Sequence, residues 1–307
     1  AAERGGFYRV EGGRLQYLST DDEYVTVKRA PGILLLSDIK RAGEPITRNG
    51  SASLWDIGSG VACLEFHTKM NAIDPDVLNM LSKSVEIVSR DYKALVLHNE
   101  GTNYSVGVNL GLALFAANVA AWQVMEDMIK RGQDVFKELK FAPFPVVGAP
   151  SGMALGGGCE SLLHCDAVQA HAESYIGLVE VGVGLIPGWG GCKELLVRGL
   201  TGKRGGIFGG GAMPVISKLF QTIGLAKVSR SAAQAFGYGY LREGDRITFN
   251  RDRLLADARD YALELAENYQ TPEPQEIKLP GNSARVALMM AVRGLAKTRK
   301  ATPHDLT

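Results

Sequence analysis

Short apolar runs and longer amphipathic stretches alternate through the middle of the chain. Ser53-Leu54-Trp55-Asp56-Ile57 and Val61-Ala62-Cys63-Leu64-Glu65-Phe66 flank Gly58-Ser59-Gly60, which predicts a β-hairpin. Asp74 and Pro75 then mark a helix start, as N-cap and first helical residue. Val77, Leu78, Leu81, Val85 and Val88 recur at helical spacing and give that helix an apolar face. Ala94-Leu95-Val96-Leu97-His98 is short and apolar throughout, the pattern of a strand buried on both faces. A long helical region follows over about residues 110–139 and is closed by Pro143 and Pro145. Val146-Val147-Gly148-Ala149 and Asp166-Ala167-Val168-Gln169-Ala170 are two further strands, with a glycine-rich helix start between them. This alternation predicts an α/β fold with right-handed crossovers.

The two ends of the chain break the pattern. Residues 1–50 are turn-rich, with Val25-Thr26-Val27 as a short strand and Ile33-Leu34-Leu35-Leu36 as a buried segment. They predict a connector, or the tail of a preceding domain. Residues 51–250 form the predicted catalytic core. Within it, residues 201–213 are glycine-rich and basic and predict a surface loop. Residues 251–307 predict a C-terminal helical region. There an amphipathic helix from Asp252 to Tyr269 places Leu254, Ala258, Tyr261 and Leu265 on one face. Pro272, Pro274 and Pro280 mark a linker, and Ser283 caps a last helix running through Val286, Met289, Met290 and Leu295. The missing initiator Met and the abrupt end at Thr307 predict a fragment of a longer protein.

Composition narrows the class. With 307 residues, 46% hydrophobic and 22% charged, the chain has the balance of an ordinary globular enzyme. A net charge of +1 gives no electrostatic footprint for nucleic acid. No apolar run reaches the length of a membrane helix, and the N-terminus carries no secretory signal. The four cysteines make no C-x-x-C and no zinc-like spacing, which predicts core thiols in a reducing cytoplasm. Two glycine motifs mislead. Gly199-Leu200-Thr201-Gly202-Lys203 lacks the first glycine and the Ser/Thr of a phosphate loop, and Gly182-Val183-Gly184 runs into Pro187 instead of completing a dinucleotide fingerprint.

The chemistry concentrates elsewhere. Ala154-Leu155-Gly156-Gly157-Gly158-Cys159-Glu160 puts small backbone units at a helix start, with a carboxylate one turn inside. Open N–H groups at a helix N-terminus can hold a developing oxyanion. Glu180 lies in the apolar run Ile176-Gly177-Leu178-Val179-Glu180-Val181, where a carboxylate must be paired, exposed or functional. Two carboxylates beside a polarised carbonyl can move a proton and a water. His98, His164 and His171 show no partner spacing and read as structural.

The segment from Pro145 to Glu160 closely resembles the core signature of the crotonase (enoyl-CoA hydratase/isomerase) superfamily. Three further segments match in order: Lys69-Met70-Asn71-Ala72-Ile73, Tyr104 to Leu110, and Gly177 to Gly191. The resemblance implies a crotonase-like fold of repeated ββα units followed by C-terminal helices. It makes Lys69, Met70, Asn71, Ala72 and Ile73 the loop that receives the CoA moiety of the substrate. It makes the backbone N–H groups of Val108 and Gly157 the oxyanion donors, and Glu160 and Glu180 the two carboxylates of a hydratase. The expected partner is an acyl-CoA thioester; the reaction needs no metal or redox cofactor, since CoA is part of the substrate. Retention of both glutamates favours hydration of a trans-2-enoyl-CoA in fatty-acid β-oxidation. An isomerase, or a non-catalytic CoA-binding or assembly domain, are the alternatives. Residues 5–24 weakly resemble the tail of a 3-hydroxyacyl-CoA dehydrogenase domain, which implies a covalent fusion, and family members commonly form homo-oligomers. Asn109 departs from the family, which usually carries Asp there. Leu112, Phe115, Trp122, Met125 and Met128 line an acyl-chain pocket or serve ordinary helix packing.

Overall fold

A computed structural model describes residues 6–201, 211–299 and 301–306 of the chain. Twelve strands and ten α-helices are found among these residues. The strands are β1 (Tyr8–Glu11), β2 (Arg14–Leu18), β3 (Tyr24–Thr26), β4 (Thr47–Arg48), β5 (Ala52–Asp56), β6 (Val61–Phe66), β7 (Ala94–His98), β8 (Val146–Ala149), β9 (Gly152–Leu155), β10 (Ala167–His171), β11 (Ser174–Gly177) and β12 (Arg246–Thr248). The helices are α1 (Leu36–Ala42), α2 (Pro75–Asp91), α3 (Leu110–Asn118), α4 (Trp122–Lys140), α5 (Gly157–His164), α6 (Gly191–Thr201), α7 (Met213–Gly224), α8 (Ala232–Tyr238), α9 (Leu254–Ala266) and α10 (Asn282–Lys297).

Seven strands form the main sheet in the order β12-β10-β8-β7-β6-β5-β4. The strands from β6 to β12 run parallel, while β5 pairs antiparallel with both β4 and β6. Strand alternation divides the core into two layers. Leu64, Leu95, Leu97, Val146 and Val168 face α2, α4 and α5, whereas Cys63, Val96, Val147 and Ala167 face α1 and α9. Helices thus cover both sheet faces, and the parallel strands are apolar on both sides.

The ββα repeat is visible directly. The units are β5-β6-α2, β8-β9-α5 and β10-β11 followed by α6; β7 with the extended residues at Ser105, followed by α3 and α4, supplies the fourth. The second strands lie side by side: β9 pairs in parallel with β11, and Ser105 bridges Ala154 on β9. Ile73 bridges Val108 in the same sense. Stacking these segments brings their C-terminal ends together, and all four resembling motifs meet there.

The sequence places most elements within a residue or two. Asp74 caps α2, its carboxylate accepting from Val77 N at 2.8 Å, with Pro75 as the first helical residue. Two expectations need correction. The long helix of residues 110–139 is two helices, because Ala120 takes a left-handed φ of 53° between them. Ser283 does not cap α10; Gly281 occupies the cap position, and the Ser283 hydroxyl donates to Pro280 O at 3.0 Å. The inner side of α10 holds Ala284, Leu288, Met289 and Val292, and Val286 and Met290 are exposed. The N-terminal β1-β2-β3 meander forms its own small sheet. Thr201 and residues 211–213 are described; the rest of the predicted basic loop, residues 202–210, lies outside the described residues. No helix among the described residues is long and apolar enough to cross a membrane.

Candidate active site

Backbone geometry around three glycines builds the centre of the site. Gly156 ends β9 with φ 54° and ψ −125°, and its N–H donates to Gly177 O at 2.9 Å, tying it to the end of β11. Gly157 then opens α5. Gly107, at φ +84°, approaches so closely that a Cβ there would stand 2.7 Å from Gly157 N and 2.8 Å from Leu155 O. Only glycine permits that approach. Val108 follows, with its position fixed by Ile73 N donating to Gly107 O at 2.8 Å. Among the described residues, neither the Val108 N–H nor the Gly157 N–H donates a hydrogen bond. Two unengaged donors therefore sit on adjacent backbones at the opening of a helix.

Trp189 covers this centre. A Cβ on Gly157 would lie 2.8 Å from Trp189 Cζ3, and a Cβ on Gly132 of α4 would fall inside the indole. Phe136 meets the same ring edge-on at 5.4 Å. Gly132→Ala should therefore overpack the site, lowering stability by about 1–3 kcal/mol. A thermal melt would check this, with Gly294→Ala, whose Cβ meets open space, as control.

The two glutamates differ in their surroundings. Glu160 is 2% exposed, one turn into α5. Its Oε1 accepts from Trp189 N at 2.9 Å and Gly191 N at 2.8 Å. Burial, and then the negative charge of Glu180, push its carboxyl up to about 7 despite those two donors. Glu180 begins a 3-10 turn, Glu180–Val183, two residues beyond β11. Burial raises its carboxyl above the ordinary range as well. Its carboxylate lies against Gly156, where a Cβ would meet Oε1 at 3.5 Å. The buried Oε2 of Glu180 has no hydrogen-bond partner among the described residues. A buried carboxylate oxygen without a partner is uncommon and costly unless something is to bind it.

Behind Glu160 lies an ionic cluster that sequence spacing does not reveal. His164 Nδ1 donates to Glu160 O at 2.7 Å, and its Nε2 stands 3.6 Å from Glu194 Oε1. Glu194 also pairs with Lys140 and Lys193. Burial holds His164 down at about 4, so it is neutral at ordinary pH. The cluster joins α4, α5 and α6 beneath the carboxylate. Its only sequence signal is charge within apolar helical faces.

Glu160 should leave a stability signature. Its carboxyl goes from 4.5 unfolded to about 7 folded, so the folded state binds the extra proton. Stability is therefore fully present below 4.5 and is lost as pH rises through about 7, by on the order of 3 kcal/mol. Glu160→Gln removes this loss while its amide oxygen still accepts from Trp189 and Gly191. The variant should match the wild type at pH 4.5 and exceed it at pH 8 in denaturant unfolding. Equal pH dependence of the two proteins would contradict the shift.

The other sequence candidates divide. Lys69–Asn71 form a 3-10 turn in which Met70 and Asn71 adopt φ of 59° and 53°. Asn71 Nδ2 donates to Asn103 O at 2.8 Å, and Ile73 bridges Val108, so this loop borders the Val108 segment. Asn109 accepts from Gly111 N at 3.1 Å and caps α3. The carbonyl-side chain departure from Asp thus leaves the cap in place. Phe115 and Trp122 are 66% and 62% exposed, which removes core packing as their role. Met125 and Met128 are half-buried.

The model of the family described as enoyl-CoA hydratase/isomerase matches residues 56–204. The chain belongs to the crotonase superfamily. Several solved members share its fold at low identity. An enoyl-CoA hydratase from Bacillus anthracis superposes with a TM-score of 0.57 at 22% identity, covering 71% of this chain and 77% of that one. A putative enoyl-CoA hydratase from Streptomyces coelicolor A3(2) gives 0.58 at 21% identity, covering 84% and 90%. Among sequence relatives, a probable 3-hydroxyacyl-CoA dehydrogenase of Bacillus subtilis is 39% identical over 300 residues, 97% of this chain and 37% of that protein. A putative fatty acid oxidation complex trifunctional enzyme of Rickettsia felis is 31% identical over 245 residues, 79% of this chain and 32% of that protein. The crotonase chain thus spans about a third of the length of these two curated relatives.

Proposed function

We propose that this chain is an enoyl-CoA hydratase, adding water reversibly to a trans-2-enoyl-CoA to give a 3-hydroxyacyl-CoA. The observation that carries the proposal is the pairing of two raised carboxyls, one with an unpartnered buried oxygen, beside two unengaged backbone donors. The thioester oxygen accepts from the N–H groups of Val108 and Gly157, which polarises the conjugated double bond. Glu160, ionised and held by Trp189 and Gly191, takes a proton from water as the water oxygen bonds to C3. The displaced π electrons build enolate charge on the thioester oxygen, where the fixed donors stabilise it. Glu180, protonated, delivers its proton to C2. Water is consumed whole, and one proton passing from Glu160 to Glu180 restores the site.

Burial raises both carboxyls, so the pair can hold one proton near neutral pH, and the proposed step uses the form of the pair in which that proton sits on Glu180. They titrate as a pair. Residues 69–73 receive the CoA moiety, and no metal or redox cofactor takes part in the proposed steps. The dehydrogenase and trifunctional names of the longer relatives support a place in fatty-acid β-oxidation within a larger protein that also carries 3-hydroxyacyl-CoA dehydrogenase activity, for which we propose a cytoplasmic location. A homo-oligomeric assembly of such chains is part of the same proposal. The test follows loss of conjugated enoyl-thioester absorbance on adding the purified chain to a trans-2-enoyl-CoA. Loss that requires Glu160 and Glu180 is expected. No loss across a range of acyl lengths would leave only a CoA-binding or assembly role.

A further inference from the structure

The turn that carries Glu180 has little covering it. Val183, Leu185 and Ile186 are 58%, 49% and 76% exposed. Internal bonds define its shape: Gly182 N donates to Val179 O, Gly184 N to Val181 O and Leu185 N to Glu180 O, at 2.9, 3.1 and 3.0 Å. Such a turn can keep its own shape and still shift as a unit against Gly157. A carboxylate that must meet C2 cannot tolerate that shift.

A segment remote in sequence reaches this turn. His304 Nε2 lies 3.0 Å from Gly184 O, to which it donates. The imidazole edge also lies close to the glycine, since a Cβ at Gly184 would meet His304 Cδ2 and Nε2 at 3.5 Å each. Gly184 is left-handed, with φ 77°, and ends the turn begun by Glu180. The His304–Leu306 turn is itself stapled. Thr302 N and Oγ1 donate to Asp305 Oδ2 at 2.6 and 2.8 Å, and Asp305 N returns a bond to Thr302 O at 3.1 Å. This turn packs on α10, and α10 in turn closes an apolar groove of about 410 Å³ against Leu196 of α6 and Ile216 and Phe220 of α7. A chain of contacts therefore runs from the body of the fold through α10 to the outer side of the Glu180 turn.

We infer that His304 is a positioning residue for Glu180, clamping the Gly184 carbonyl so that the Glu180 carboxylate keeps its place beside Gly156 and Gly157. The inference rests on the hydratase reading for its catalytic consequence, but the clamp itself does not. His304→Ala deletes the donor, whereas His304→Gln can place an amide N–H on the same carbonyl. Neither residue change touches the proposed donors or carboxylates.

Two measurements test it in the full chain. In hydrogen–deuterium exchange, amides of residues 182–185 should exchange severalfold faster in His304→Ala than in wild type and near wild-type rate in His304→Gln. In hydration kinetics, His304→Ala should lower kcat by about 10- to 100-fold with KM little changed, and His304→Gln should recover most of that loss. In a Glu180→Gln background, His304→Ala should add almost nothing, because the group it positions is already gone. Unchanged exchange would overturn the clamp whatever the activity. Faster exchange with unchanged kcat, or a full additional loss in the Glu180→Gln background, would overturn the positioning role. A wild-type chain that exchanges as expected yet hydrates nothing would instead overturn the hydratase reading and keep the clamp.

Discussion

Glu180→Gln should cut hydration by roughly 10²- to 10⁴-fold while CoA-ester binding stays nearly intact, the scale of a lost acid/base group. The substitution keeps size and polarity but cannot deliver a proton to C2. The environment explains why the loss falls on kcat. Glu180 begins the 3-10 turn that follows β11 and lies against Gly156, and it is not part of the Lys69–Ile73 loop proposed to receive the CoA moiety. Its buried Oε2 makes no bond that the fold depends on. The variant should therefore fold, and its thermal melt should not fall below that of the wild type. Losses in Glu160→Gln and Glu180→Gln should be non-additive in the double variant, since both groups act on one addition. A folded Glu180→Gln protein with full activity would remove the residue from the mechanism.

Gly107→Ala should lower kcat by about 10²- to 10³-fold, the effect of losing one oxyanion donor. The new Cβ would meet Gly157 N at 2.7 Å and Leu155 O at 2.8 Å, and both are backbone atoms with no rotamer to escape into. The φ of +84° adds strain for any L side chain. Either the Val108 segment withdraws or the start of α5 moves, and the two N–H groups no longer converge. Gly111→Ala is the control, because its Cβ meets only the Asn109 side chain at 3.2 Å and its φ is not left-handed. Comparison of kcat and KM for the two variants separates donor loss from a general effect on the loop. Equal kcat in both would show that Gly107 does not set the donor pair.

Much of this arrangement is legible in the chain because each ββα unit writes its strand and helix locally. The hairpin about Gly58-Ser59-Gly60, the Asp74-Pro75 cap and the fully apolar β7 are matters of near-neighbour chemistry, and the structure reproduces them. The break between α3 and α4 is not, since Ala120 carries no glycine or asparagine turn signal, yet it takes a left-handed φ where Ala120 N and Ala121 N close the end of α3 on Ala117 O and Ala116 O. The same holds for α10. Its apolar residues lie on several sides, and only the groove against α6 and α7 decides that Ala284 and Val292 face inward. At the site, sequence resemblance singles out Glu160, Glu180, Gly157 and Val108, and the fold brings their segments together. It gives no hint that Trp189 roofs Gly157, that Glu194 and His164 sit behind Glu160, or that His304 reaches Gly184. Apart from the i, i+4 contact of Glu160 and His164 within α5, those contacts join residues tens of positions apart, and no local spacing encodes them.

The most direct test of the central claim is isotopic. A trans-2-enoyl-CoA is incubated with the purified chain in ¹⁸O-enriched heavy water, and the products are read by mass spectrometry. Concerted use of water by Glu160 and Glu180 should give a 3-hydroxyacyl-CoA with ¹⁸O on C3 and one deuterium on C2, formed far more slowly by Glu180→Gln. Recovery of enoyl-CoA with the double bond moved or deuterium exchanged, and no ¹⁸O at C3, would contradict hydration and assign the two carboxylates to proton transfer alone.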